Sequence, residues 1–266
     1  MRRQAMVIAT ALLLAGTAMA ATQDSGGAAT VHPELWPAAK SPAAITDPAT
    51  EARIDALIKK MTVEQKVGQL IQGDISTITP KDLETYPLGS ILAGGNSGPN
   101  GNERSSAADW AKLVGEFRAV SMKPQANGVA IPIIFGVDAV HGHNNIPGAT
   151  LFPHNIGLGA AHDPELIQRI GAVTGAEIAG SGIEWTFAPT LAVPQDLRWG
   201  RSYEGYAADP KLVADYATAM VLGLQGPLVA GKTVDAQHVA ATAKHFLADG
   251  GTFEGKDQGD AKIDEK

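Results

Sequence analysis

Four apolar runs that do not alternate with polar residues constrain this chain most. They read LGSILAGG (88–95), VAIPIIFGVD (129–138), IEWTFAPTLAV (183–193) and VAATAKHF (239–246). A strand with one wet face alternates apolar and polar residues. Runs without alternation belong to strands covered on both faces, as in parallel sheets under helices. Helical segments lie between them. Residues 105–122 (SSAADWAKLVGEFRAVSM) open on a serine cap. Residues 162–182 start at Asp163-Pro164 and place Leu166, Ile170 and Val173 on one face. Residues 208–226 repeat the Asp-Pro start and stop on Gly226. Upstream, residues 49–72 carry Ile54, Leu57, Ile58 and Met61, then Val63, Val67, Leu70 and Ile71, at helical spacing. They predict two helices, the second capped by Thr62.

This alternation predicts an α/β fold with a parallel sheet and helices packed outside. A doubly wound sheet and a (β/α)8 TIM-type barrel both satisfy it. No Gly-x-Gly-x-x-Gly turn or Walker sequence follows any run, which removes support for a nucleotide-binding sheet. Polar residues instead collect at several strand ends: Asp138, then Arg198 and Arg201, then Lys244 and His245. Barrel active sites are assembled from several strand ends in this way. A closed barrel needs eight strands, and only four are found, so the barrel is expected to be incomplete in this chain.

The first residues, MRRQAMVIATALLLAGTAMA, have a basic start, a short apolar run and an Ala-Met-Ala site, the pattern of a signal peptide cleaved after Ala20. Residues 21–47 read as a flexible tail, and 48–266 as a partial (β/α) barrel domain. No later run is long enough to span a membrane. The leader implies a periplasmic or secreted protein. A net charge of −7 with scattered basic residues argues against nucleic-acid binding. The absence of cysteine excludes disulfides and thiolate metal sites.

Three constellations carry candidate chemistry. In FGVDAVHGHNNIPGATLFPHN (135–155), Asp138 ends a strand. His141 and His143 are two apart and would share a face of an extended chain. With Asp138, His154 or His245 they could ligate a metal. A corner holding Pro147, Gly148 and Pro153 also uses His and Asn to satisfy loop backbone, and His143 and His154 are read that way. In DLRWGRSYEGY (196–206), Arg198, Arg201 and Glu204 can form an ion-pair network around Trp199, or an arginine can present its fork to ligand oxygens. An aromatic there can pack on the apolar face of a sugar ring. In AKHFLADGG (243–251), Lys244 and His245 would point opposite ways on a regular strand, so reaching one ligand together requires distorted backbone. A carboxylate, a guanidinium, an ammonium and an imidazole around one pocket suit a neutral polyhydroxylated ligand.

From about residue 50 onward the chain resembles the family 3 glycoside hydrolases, β-glucosidases and exo-acting β-glucan hydrolases. The resemblance rests on GVDAVHGHNN…GATLFPHNIGLGA…DP, RWGRSYEGY and KHFLADGG, in that order. The VHGHNN version is most similar to the exo-glucan hydrolase branch. Many β-glucosidases of the family carry arginine where this chain has Asn144. The resemblance implies that Asp138, Arg201, Lys244 and His245 hold the hydroxyls of a terminal glucose, across a cis-like Lys244-His245 peptide. It implies retaining, exo-acting hydrolysis of a β-glucoside or β-glucan oligosaccharide, without a cofactor or metal. The family's nucleophile, in a Ser-Asp-Trp-type motif on a later strand, has no counterpart here. Its acid/base glutamate comes from a second α/β sandwich domain. The chain is therefore expected to be an N-terminal portion lacking both catalytic carboxylates and its C-terminal partner domain. Asp196, Glu204, Asp249 and Glu254 are read as structural. The alternatives are a metal-dependent barrel hydrolase using His141, His143 and His245, and a non-catalytic truncated sugar-binding product.

Overall fold

The computed structural model describes residues 33–36, 38, 45–95, 97–123 and 128–263. The chain divides into two units. In the small N-terminal one, Pro33–Leu35 forms a single 3-10 turn within the expected tail. The signal peptide at 1–20 and most of the tail lie outside the described residues. All elements below belong to the large unit, residues 40–264.

Its centre is a parallel sheet of β1 (Gln72–Asp74), β2 (Ser90–Ala93), β3 (Ile134–Val137) and β4 (Trp185–Thr186), in that spatial order. Ile91 pairs with Phe135, and Val137 with Thr186. A doubly wound sheet reverses its strand order at a switch point, whereas barrel staves follow chain order. The order here is that of a barrel. The fourth expected strand, 239–246, is not a full strand. It runs beside β4 and its continuation through single parallel bridges, Trp185 to Ala240 and Thr190 to Lys244. Its neighbour contains Pro189, which has no N–H to return to a ladder. β1 lies where the helical pattern was expected to continue through Gln72. The second helix stops at Gly68, where a Cβ would lie 2.2 Å from the Pro87 carbonyl oxygen. The short, polar QGD that follows has no apolar signature to announce a strand.

Among the described residues there are six α-helices: α1 (Pro48–Lys60), α2 (Val63–Gly68), α3 (Ala107–Ser121), α4 (Asn155–Ala161), α5 (Pro164–Gly180) and α6 (Pro210–Gln225). Side chains cap the starts of five of them, while α4, entered from His154, has no side-chain cap. Thr62 accepts from Gln65 N, Ser106 and Asp109 form a capping box, and Asp163 accepts from Leu166 N. α6 ends on Gly226, whose φ of 66° suits glycine.

There are two cores. On one side of the sheet, Ile91, Phe135 and Val137 pack on Trp110, Leu113, Val114 and Phe117 of α3. Phe117 meets Phe135 edge-on, with ring centroids 5.4 Å apart. Burying each such side chain is worth about 1.5–3 kcal/mol. The other core joins α5 and α6 through Ile167, Ile170, Tyr216, Met220 and Leu224. The buried face of α5 is rotated from the expected one: Ile167, Thr174 and Ile178 are buried, while Val173 is exposed. The glycines explain the shift. A Cβ on Gly223 would lie 2.2 Å from the Gln168 carbonyl oxygen, so the helices meet backbone to backbone along the Gly171 and Gly175 side of α5. No helix among the described residues is long and apolar enough to cross a membrane.

Candidate active site

The polar residues at the strand ends converge as barrel geometry requires. Asp138 directly follows β3. Arg201 lies in the segment after β4, and Lys244 at the bridge to Thr190. Lys244 Nζ donates to Asp138 Oδ1 across 106 residues of sequence. Both line a cleft of about 240 Å³, as do Arg201 and Glu204. The guanidinium grips Glu204 with two bonds, Nε to Oε1 and Nη2 to Oε2, each 2.7 Å. Such a fork fixes the arginine's plane. Burial works against charge on Glu204, but the bonds from Arg201 outweigh it and hold its carboxyl below the usual range. The same pairing raises Arg201.

His245 stands behind Arg201. Arg201 Nη2 lies 2.7 Å from His245 Nε2. A guanidinium only donates, so Nε2 accepts and the ring proton sits on Nδ1. Burial, and then the positive charges of Arg201 and Lys244, lower the imidazole pKa and favour this neutral form. Nδ1 lies 4.0 Å from Asp249. The Lys244-His245 peptide is cis, as the resemblance implies.

The loop after β3 is held from below. Asn145 Nδ2 donates to the Asp138 carbonyl (2.8 Å), while its Oδ1 accepts from Gly95 N (2.9 Å). Gly142, with φ 106°, passes so close to Thr150 that a Cβ would lie 2.1 Å from its carbonyl oxygen. Only glycine fits there.

The expected His141–His143 pairing does not form. His143 is fully buried, its Nε2 3.2 Å from Ser181 Oγ at the end of α5. Burial pushes its pKa down to about 4. It is a corner residue, as expected. His141 turns to the cleft, its Nδ1 3.1 Å from the Phe152 carbonyl. His154, expected in the corner, also lines the cleft. Its ring lies 4.5 Å from His141 and 4.9 Å from Tyr203. Among the described residues no group of three His, Cys, Asp or Glu is arranged to hold a metal.

Other expectations need correction. Trp199 cannot face a sugar: it is 2% exposed and donates through Nε1 to Asp257 (2.8 Å). Arg198 does not share the cleft with Arg201. It pairs with Asp196 at 2.6 Å on the surface, and these bonds lower the Asp196 carboxyl to about 2. Glu204, read as structural, is clamped by Arg201 where it lines the cleft. The spacing of Arg201 and Glu204, three apart, was the signal for that pairing. Tyr203 and the cleft position of His141 had no signal, because loop direction decides them.

A parallel sheet in chain order with an unlike-charge cluster at its strand ends is the arrangement of a TIM-type barrel domain. Residues 62–266 match the glycosyl hydrolase family 3 N terminal domain. The chain belongs to this family, whose N-terminal domain is a TIM-type barrel. It is 51% identical to the crystal structure of an exo-1,3/1,4-β-glucanase from a Pseudoalteromonas species, with a TM-score of 0.79 over 84% of this chain and 28% of that one. It is 32% identical to a lysosomal β-glucosidase of Dictyostelium discoideum, over 82% of this chain and 28% of the relative. It is 30% identical to a periplasmic β-glucosidase of Salmonella typhimurium, over 80% and 25%. The chain thus spans about a quarter of these proteins' lengths.

Proposed function

We propose that this chain is the sugar-holding part of an exo-acting β-glucosidase or β-glucan glucohydrolase. The observation that carries this is the convergence of Asp138, Lys244 and Arg201, from successive strand ends, on a cleft with room for one sugar ring. Asp138, Arg201 and Lys244 bind hydroxyls of the terminal glucose, and His245, expected to join them, lies outside the cleft and steadies Arg201 from behind. Charged partners make these hydrogen bonds strong and directional. The named activities of the relatives support β-glucoside as the substrate class. A β-glucosidase from Listeria innocua was solved with laminaribiose, a ligand of the expected kind. The leader-like first residues and the periplasmic Salmonella relative support export.

Retaining hydrolysis needs two free carboxylates about 5–5.5 Å apart across the scissile bond. In this reading they come from outside the 266 residues. Asp138 is engaged by Lys244, and Glu204 by Arg201. Asp109, in the sole Asp-Trp pair of the sequence, caps α3. The polypeptide should therefore bind a chromogenic aryl β-glucoside without cleaving it. Steady release of the aryl alcohol would sink the assignment of the carboxylates. Absence of binding would sink the reading of the cleft.

A further inference from the structure

We propose that His141 is a further sugar-binding residue, whose Nε2 accepts a hydrogen bond from one glucose hydroxyl. This rests on the cleft being a sugar site. Two observations lead to it. First, a carbonyl oxygen only accepts, so the 3.1 Å contact with Phe152 O places the proton of the neutral imidazole on Nδ1. Nε2 is left as a bare lone pair on a ring that lines the cleft. Among the described residues no hydrogen bond reaches it. A tilted contact with His154, itself edge-on to Tyr203, holds the ring in place.

Second, the cleft is short of acceptors. Lys244 and Arg201 supply only donors. Both oxygens of Glu204 already accept from Arg201, and Asp138 Oδ1 from Lys244, which leaves each oxygen one remaining lone pair. A hydroxyl that accepts from Lys244 or Arg201 still carries a proton that must be bonded once water is displaced. Asp138 Oδ2 can take one such proton. His141, which lines the cleft, can accept from another through Nε2, and Asn144, also on the cleft, already accepts from Asn145 through Oδ1. The ligand is thus a polyol ring with at least two hydroxyls facing this wall, as in a glucopyranoside.

The test combines two readings on the intact polypeptide. Glucose and its monodeoxy analogues are titrated into the wild type and His141→Phe, which keeps a flat ring but has no nitrogen. The loss expected for glucose is about 3- to 10-fold, the worth of one neutral hydrogen bond. One monodeoxy sugar should bind both proteins equally, identifying the hydroxyl. In the wild type, the nitrogen-15 resonance of His141 Nε2 should start in the unprotonated range and move on adding glucose, which needs no variant to fold. Glucose bound by the wild type with that resonance unmoved, or with equal affinity in His141→Phe, overturns the inference alone. A wild type that binds no glucose overturns the reading of the cleft, and the inference with it.

Discussion

The helices at the two ends of the large unit carry similar apolar spacing and end up differently. α5 and α6 bury Ile167, Ile170, Tyr216 and Leu224 between them. α1 buries none of its residues: Ile54 is 42% exposed and Ile58 45%. In and after α2, Val63 and Leu70 are exposed too. Both pairs start on good caps, so local propensity does not separate them. What differs is the opposing surface. α5 has glycines where α6 must approach, and α6 presents Gly223 in return. Periodicity says which face of a helix is apolar, but a partner's shape decides whether that face is covered.

The largest effect should come from the buried pair. Leu224→Ala should cost about 2–5 kcal/mol in denaturant unfolding, whereas Leu70→Ala should stay within about 0.5 kcal/mol. Equal losses would mean that the α2 end is covered in solution. Next comes the pH dependence at the end of α5. His143 titrates near 4 when folded and near 6.5 in its ordinary setting. Between those values the unfolded chain binds the extra proton, so stability is complete above pH 6.5 and falls as the pH drops toward 4. The loss is on the order of 3 kcal/mol at most. His143→Gln should flatten that slope in a pH series of urea melts, and an unchanged slope would place the titration elsewhere. The smallest effect compares caps. Asp47 and Asp163 each accept a bond of 2.9 Å from the third residue after them. Asp163→Ala should lower global stability by about 1 kcal/mol. Asp47→Ala should leave global stability unchanged and speed amide exchange only within α1, because that helix is lightly anchored.

The chain-order parallel sheet and the grouping of Asp138, Arg201 and Lys244 were legible in the sequence, because unalternating runs and polar strand ends are physical consequences of a barrel. β1 was not, since Gln72-Gly73-Asp74 pairs by backbone alone and shows no apolar pattern. The incomplete pairing of 239–246 depends on Pro189 in its neighbour, visible only once the two segments are set side by side. The histidines divided in a way spacing could not show. His141 and His143 share a face only on an extended chain, and the left-handed turn at Gly142 sends one to the cleft and the other into the core. Trp199 looked available beside two arginines, but the loop folds it under Asp257.

In the proposed glucose site, Asp138, Lys244 and Arg201 form the floor. Calorimetric titration of glucose into the wild type, Asp138→Asn and Arg198→Ala tests it most directly. Asp138 lines the cleft, and Arg198 is tied to Asp196 on the surface. The account predicts saturable binding by the wild type, unchanged affinity in Arg198→Ala, and about a 10- to 100-fold loss in Asp138→Asn, the range for a hydrogen bond to a charged group. Equal affinity in all three proteins, or no saturable binding in any, would contradict it.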